Sequence, residues 1–151
     1  MGIEVGQKAS RTMLLTMQHV RRYAELTGDY QAVSFDPQRL AGPPQDRPLA
    51  PTWLLGALLH AVVGMDLPGP GSVLVNQQWR FPAQARIGDT ITGQVSVVGL
   101  REGDGTAELA MVVKRTDGAP VVEGEALVTL PPAAPPDAPV GTGDTATEAA
   151  T

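Results

Sequence analysis

The chain has 151 residues, of which 42% are apolar, and this is enough for the core of one domain. It has no cysteine, which excludes disulfides, thiolate catalysis and cysteine-ligated metals. The net charge is −5, but three acidic side chains fall in residues 131–151, and the remaining 13 acidic and 11 basic side chains nearly balance without forming a basic stripe, which argues against nucleic-acid binding.

The N-terminal residues, Met1 to Gln7, lack the basic and apolar regions of a signal peptide. No apolar run in the sequence reaches the length of a membrane span. We therefore expect a cytoplasmic protein that does not enter the membrane.

The first predicted helix begins at Thr16, a suitable N-cap, and ends at Gly28, which can adopt the left-handed conformation that terminates helices. A short strand over residues 12–16 is expected to precede it. His19 lies early in this helix, and we expect its side chain to be exposed. Asp29 follows the glycine at once, so it is placed on a turn.

The most apolar helix of the chain is predicted from Pro51 to Gly64. It is apolar nearly all round, which is typical of a helix buried on most faces, and it is too short to cross a bilayer. Before it, residues 36–41 can form a short helical turn capped by Asp36, and residues 42–48 form a loop that contains three prolines.

From residue 72 onward the apolar side chains alternate with polar ones, which predicts strands. On the first strand one face is expected to carry Val73, Val75, Gln77, Trp79 and Phe81. Three further strands, over residues 90–100, 107–113 and 122–130, are joined by tight turns at residues 102–105 and 117–118. Sequential strands joined by hairpins form an antiparallel sheet, so the chain is predicted to be α+β, with an antiparallel meander around a central helix.

Residues 131–151 are rich in Pro, Ala, Gly and Thr and have almost nothing to bury. We predict that they form a disordered tail and that residues 1–130 form the single domain.

The segment from Tyr23 to Asp29 reads Tyr-Ala-Glu-Leu-Thr-Gly-Asp, and Phe-Asp-Pro follows a few residues later. This segment resembles the signature of MaoC-like (R)-specific enoyl-CoA hydratases and dehydratases, which have the hot dog fold. Arg80-Phe81-Pro82 and Gly88-Asp89 also resemble a strand pair of that family. The resemblance covers roughly residues 12–130 and implies a hot dog domain wrapped around the central helix.

The family motif continues from Gly-Asp with x-Asn-Pro-aliphatic-His, and its Asp and His are the catalytic pair. Asp29 matches the family's Asp, but Gln31 stands for the Asn, Ala32 for the Pro and Ser34 for the His. A hydroxyl with no nearby base cannot exchange protons near neutral pH as an imidazole does. The resemblance therefore implies the fold and the ligand class more directly than the activity.

His60 is the one ionisable residue of the apolar central helix. The family commonly has a serine at about this point, near its catalytic pair, so we hypothesise that the two residue types have exchanged places. In that case Asp29, Ser34 and His60 cluster around one pocket. The alternative is a buried neutral histidine that is bonded to a backbone carbonyl.

The start of the central helix is the second candidate element, because backbone N–H groups at Thr52 and Trp53 can polarise a thioester carbonyl. Alternatively, these groups are simply solvated or capped. Tyr30 and Trp53 are candidates to line an acyl pocket, and Gln31 and Gln77 are candidates to position water or substrate. We expect no metal and no cofactor.

The resemblance implies an acyl-thioester hydratase or dehydratase that acts on a CoA or carrier-protein substrate, with Asp29 and His60 dividing the proton transfers. It also implies a homodimer, because hot dog sheets usually pair. Two alternatives remain open. One is a diverged enzyme that hydrolyses thioesters or adds another nucleophile, and the other is a non-catalytic acyl-binding subunit of a heteromeric hydratase.

Overall fold

The computed structural model describes residues 2–36 and 47–131. These residues form five strands and three helices, in the chain order β1 (Lys8–Leu14), α1 (Met17–Thr27), α2 (Ala32–Phe35), α3 (Thr52–Met65), β2 (Val73–Arg80), β3 (Thr90–Arg101), β4 (Thr106–Arg115) and β5 (Pro120–Thr129). The predicted central helix is confirmed as α3, one residue later than expected at each end. The α+β prediction is also confirmed.

The strands form one antiparallel sheet in the order β1-β3-β4-β5-β2. The predicted meander is correct for β3, β4 and β5, which pair consecutively. It is wrong for β2, which pairs with β5 rather than with its neighbour in sequence, β3. As a result β2 lies at one edge of the sheet and β1 lies at the other.

The core lies between α3 and the sheet. Leu55, Leu59 and Val62 of α3 are buried and belong to one hydrophobic cluster with residues of β3, β4 and β5, among them Ile91, Val95, Leu109 and Val128. At Gly93 the helix comes close, because a Cβ there would lie 3.2 Å from Cγ of Leu58. Each fully buried leucine of this size stabilises the fold by about 1.5–3 kcal/mol.

One face of α3 is not covered in the single chain. Trp53, Ala57 and His60 are exposed on it, so the prediction that this helix is buried on most of its faces holds for an isolated protomer except at this face. The exposed residues recur at intervals of three and four, which is the spacing of one helical face.

The predicted common face of β2 is also wrong. The pairing with β5 shifts between Leu74 and Asn76, as it does at a β-bulge. The shift leaves Val73 and Val75 62% and 56% exposed, whereas Trp79 packs on the hydrophobic core. The extra residue in the bulge reverses the alternation of inward and outward side chains within the strand, which a regular period of two cannot predict.

The first helix begins and ends as expected. Thr16 Oγ1 accepts a hydrogen bond from His19 N at 3.4 Å, and His19 Nδ1 accepts one from Thr16 N at 3.2 Å, which closes a capping box. Gly28 has φ 78°, the left-handed conformation. His19 is half-buried rather than exposed because its ring turns back onto the cap.

Two further expectations concern the segments next to the first helix. The preceding strand runs from Lys8 to Leu14, earlier than residues 12–16, and the short helix α2 follows the turn at Asp29. The predicted helical turn at 36–41 lies, apart from Asp36, outside the described residues, and so does the predicted tail beyond residue 131.

Candidate active site

Asp29 stands immediately after the end of α1, and its side chain is half-buried. Gln31 donates to both carboxylate oxygens, from its backbone N to Oδ1 and from Nε2 to Oδ2, each at 3.3 Å. Thr27 Oγ1 accepts a hydrogen bond from Asp29 N at 3.3 Å. These bonds hold the carboxylate in one orientation and leave acceptor capacity on its oxygens.

Tyr23 lies within the electrostatic reach of this carboxylate. Burial raises the pKa of the Tyr23 hydroxyl, and the negative charge of Asp29 raises it further. The phenol therefore stays protonated throughout the neutral range.

Ser34 lies in α2 and is 1% exposed. Within the part of the chain that the structure describes, its hydroxyl has no hydrogen-bond partner. It lines a cavity of about 260 Å³ together with three other polar side chains, those of Gln31, Thr52 and Gln84. The apolar part of the wall includes Val33, Leu49, Ala50, Leu55 and Ala85.

The cavity is assembled by the segment that leads into α3. Leu49 N donates to Val33 O at 3.0 Å on one side, and Ala50 N donates to Ala85 O at 2.9 Å on the other. This segment therefore joins α2, which carries Ser34, to the residues before β3. A strand-like connection of this kind fixes the distance between α2 and the start of α3.

A buried polar cluster also holds the segment that leads into α3, through contacts to Arg47. Arg86 is almost fully buried, and its guanidinium donates to the carbonyl of Arg47 at 2.9 Å. Arg47 in turn pairs with Asp89 at 2.7 Å, and the second oxygen of Asp89 accepts from Arg86 N at 2.9 Å. Asp89 belongs to the Gly88-Asp89 pair noted in the sequence, but its contacts with Arg47 and Arg86 were not predicted, although both arginines lie near predicted loops.

The start of α3 opens onto this cavity. The cap residue, Pro51, makes no side-chain hydrogen bond to the helix, and Thr52 lines the cavity wall. The first-turn N–H groups of a helix carry partial positive charge and suit a developing negative oxygen.

His60 lies elsewhere on α3. Its side chain is exposed, so the alternative of a buried histidine does not hold within one protomer. It is not among the described residues that line the cavity of Ser34, and eight residues separate it from Thr52, which is about 12 Å along the helix axis. None of the described lining residues has an ionisable side chain.

The other predicted residues are dispersed. Trp53 is 57% exposed and packs against Trp79 with ring centroids 5.6 Å apart, and Tyr30 is 60% exposed beside Phe35. Gln77 lines a different cavity, of about 440 Å³, formed along β2, β3, β4 and β5. The structure therefore brings Gln31, Ser34 and Thr52 together and connects Asp29 to them through Gln31.

Residues 2–36 and 47–131 contain no group of three or more His, Cys, Asp or Glu side chains placed to hold a metal ion. No helix among them has the length and apolarity needed to cross a membrane.

Comparison with known proteins gives consistent matches. The family model described as "MaoC like domain" matches residues 2–119. An (R)-specific enoyl-CoA hydratase of Aeromonas caviae is 35% identical over 129 residues, which cover 85% of this chain and 96% of that protein. A 3-hydroxybutyryl-CoA dehydratase of Methylorubrum extorquens is 33% identical, with 85% and 82% covered.

The solved structure of the (R)-hydratase from A. caviae involved in PHA biosynthesis has a TM-score of 0.80 to this chain and covers 85% of it, with 98% of that protein matched. This agreement confirms the predicted hot dog fold.

Proposed function

The chain belongs to the MaoC-like domain family, and on that basis we propose that it is an acyl-thioester hydratase or dehydratase. It adds water across the double bond of an enoyl-CoA or enoyl-carrier-protein thioester, or removes water from the 3-hydroxyacyl form. Relatives over 30% identical are named as hydratases and a dehydratase of acyl-CoA thioesters. The observation that carries the proposal is the carboxylate of Asp29, held by Gln31 beside a cavity at the start of a long helix.

The reaction has three requirements. A base takes a proton from water as its oxygen bonds to C3, a proton is delivered to C2, and donors hold the negative charge that develops on the thioester oxygen. We assign Asp29 as the base. We assign the N–H groups of Thr52 and Trp53 as the donors that hold the thioester oxygen. Gln31 and Ser34 orient the water and the substrate, and Tyr30 and Trp53 contact the acyl or thioester chain.

His60 is proposed as the second proton-transfer group, which is the exchange hypothesis. Within one protomer the imidazole is exposed and does not line the cavity of Ser34. The hypothesis therefore needs His60 to reach a cavity across an interface between two copies of the chain. Gln77, which lines the other cavity, is proposed to contact a substrate only in such an assembly.

A homodimer is part of the proposal. Trp53 and Met65 of α3 and Val73 and Val75 of the edge strand β2 are all more than half exposed. An exposed edge with apolar side chains favours pairing with a second strand. Two identical edges satisfy the self-complementarity of a two-fold interface.

A second candidate is a non-catalytic acyl-binding subunit. It is favoured by the cavity itself, because none of the described residues that line it is ionisable. Such a subunit binds the acyl group and leaves proton transfer to another chain.

Enzyme assays test the proposal. Purified protein incubated with crotonyl-CoA is expected to consume the double bond and form (R)-3-hydroxybutyryl-CoA, without release of free thiol. Thiol release without hydration would indicate hydrolysis instead. Binding with neither reaction would support the acyl-binding subunit. The cytoplasmic location remains a prediction that cell fractionation tests.

A further inference from the structure

The indole of Trp79 fills a slot between the central helix and the sheet. A Cβ at Gly56 of α3 would lie 2.1 Å from the ring, and a Cβ at Gly124 of β5 would lie 2.7 Å from it, so a side chain at either position would overlap the indole. The ring packs on the hydrophobic core. Two elements of the fold therefore carry no side chain where β2 positions this ring.

Stability alone does not account for an indole in this slot. Trp79 Nε1 is buried, and it has no hydrogen-bond partner among residues 2–36 and 47–131. A buried donor without a partner destabilises the folded state, and a leucine or phenylalanine would pack here without such a donor. The volume of the indole is therefore the property that needs a further explanation.

The slot lies one helical turn beyond the cavity at the start of α3. Thr52 lines that cavity and Gly56 lies under the indole, and residues four apart share one helical face at a spacing of about 6 Å along the axis. Trp53 is more than half exposed, and its ring centroid lies 5.6 Å from that of Trp79. An acyl chain that leaves the helix start along this face therefore meets the two tryptophans.

We propose that Trp79 closes the path of the acyl chain and restricts the protein to thioesters of short acyl groups, of about four carbons, which extend over about one helical turn. The inference rests on the proposed function for the class of ligand and for the contact of Trp53 with the acyl chain. It adds a limit on the length of that chain and the residue that sets the limit.

The physical basis is the space available to further methylene groups. Each methylene that moves from water to a buried apolar site strengthens binding by about fourfold. With Trp79 in the slot, the methylenes of a longer chain stay in solvent and add nothing to the affinity. A smaller side chain leaves a void between α3 and β5, and an apolar void takes up an apolar group more readily than water.

Calorimetric titration of the full-length protein with butyryl-CoA and octanoyl-CoA tests the inference. Both ligands are saturated, so neither can gain or lose water during the titration. The wild type is expected to bind the two with a ratio of affinities close to one, and Trp79→Leu to bind octanoyl-CoA about tenfold or more tightly than butyryl-CoA. Phe81→Leu, at an aromatic residue 41% exposed just beyond β2, is the control and is expected to keep the wild-type ratio.

Two further variants test whether the volume of the slot is the cause. Gly56→Ala added to Trp79→Leu places a methyl group where the indole lay, so the ratio is expected to fall back toward one. Trp79→Phe keeps a smaller ring beside Trp53, so an intermediate ratio is expected, and this variant carries the test if Trp79→Leu does not fold. Thermal unfolding shows which variants are folded.

Three results would overturn the inference: tighter binding of octanoyl-CoA by the wild type, no measurable binding of either ligand, or a ratio that stays close to one in the folded Trp79 variants. The outcome is separable from the proposed function. Hydration of crotonyl-CoA by the wild type with an unchanged ratio in the variants keeps the proposed function and removes the inference. A ratio that rises in the variants without hydration by the wild type keeps the inference and removes the enzymatic assignment.

Discussion

The two ends of α3 differ in how completely their polar groups are hydrogen-bonded. At the C-terminal end, Asp66 N and Leu67 N both donate to Val62 O, at 2.9 and 2.8 Å. The hydroxyl of Ser72 donates to Val63 O at 3.1 Å, and the carboxylate of Asp66 pairs with Arg11 of β1. The bonds to Val62 O and Val63 O satisfy carbonyl groups at the helix end, and the ion pair with Arg11 satisfies the Asp66 carboxylate.

At the N-terminal end Pro51 and Thr52 line a cavity, together with Ser34 of α2. Pro51 provides no side-chain cap, and Ser34 has no partner within the described residues. Fold stability alone favours satisfying such groups, as the other end of the helix does. Under the proposed function the N-terminal end is kept open for a ligand, so we expect changes at the two ends to have different consequences.

Asp29→Asn is expected to have the largest effect. Removing a catalytic base lowers kcat by about 100-fold or more, whereas the fold stability should change little because asparagine keeps the shape of the side chain. Hydration of crotonyl-CoA measures the rate, and thermal unfolding measures the stability. Glu102→Gln, an exposed carboxyl in the hairpin after β3, is the matched control. Equal activity in Asp29→Asn and wild type would remove Asp29 from the mechanism.

His60→Ala is expected to lower kcat by about 100-fold if the exchange hypothesis is correct. Mixing then identifies the chain that supplies the imidazole. Refolding an equal mixture of Asp29→Asn and His60→Ala chains restores one intact site in each mixed dimer, so activity returns to about a quarter of the wild-type value if sites are shared between protomers. A site built from one chain gives no recovery, and full activity of His60→Ala alone excludes the histidine.

The central strands of the sheet were more predictable from the sequence than the candidate site. The spacing of Ile91, Val95, Leu109 and Val113 predicts β3 and β4, and each of these residues is buried. The position of β2 was not predictable, because its pairing with β5 joins segments far apart in the sequence and its bulge breaks the alternation. The close contact between α3 and Trp79 of β2 was not predicted either. It requires a glycine at position 56, because a Cβ there would overlap the ring of Trp79.

At the open end, the sequence indicated single residues but not their grouping. The motif around Asp29 led to Gln31 and Ser34, and the helix start led to Thr52, and three of these four line one cavity. The contribution of Leu49 and Ala85 to the cavity wall was not predicted. Backbone hydrogen bonds between loops position these two residues, and such bonds leave no periodic pattern in the sequence. The position of His60 was missed because an apolar helix does not reveal which face the sheet covers.

A pair of serine variants compares the two ends directly. Ser72→Ala removes a hydroxyl that donates to Val63 O and Gly69 O, so the free energy of unfolding should fall by about 0.5–1.5 kcal/mol. Ser34→Ala removes a buried hydroxyl with no protein partner in the described chain, so stability should stay constant or rise. Denaturant unfolding measures both. A loss at Ser34 as large as that at Ser72 would show that the N-terminal end is closed as well.

The smallest expected effect is the pH dependence of the stability that the Arg11–Asp66 pair contributes at the C-terminal end of α3. Hydrogen bonding from Arg11, at 2.5 and 3.0 Å, lowers the pKa of Asp66 below its usual value of 3.8. A lowered pKa in the folded state means that the pair stabilises the protein above that value and ceases to do so as pH falls through the folded pKa. The Tm difference between wild type and Asp66→Asn should therefore be largest near neutral pH and shrink below about pH 4. The Tm difference between wild type and Ser34→Ala should stay constant over the same range, because the cavity walls in the described chain contain no ionisable group. A difference for Asp66→Asn that does not vary with pH would mean that Arg11 does not bind the carboxylate in solution.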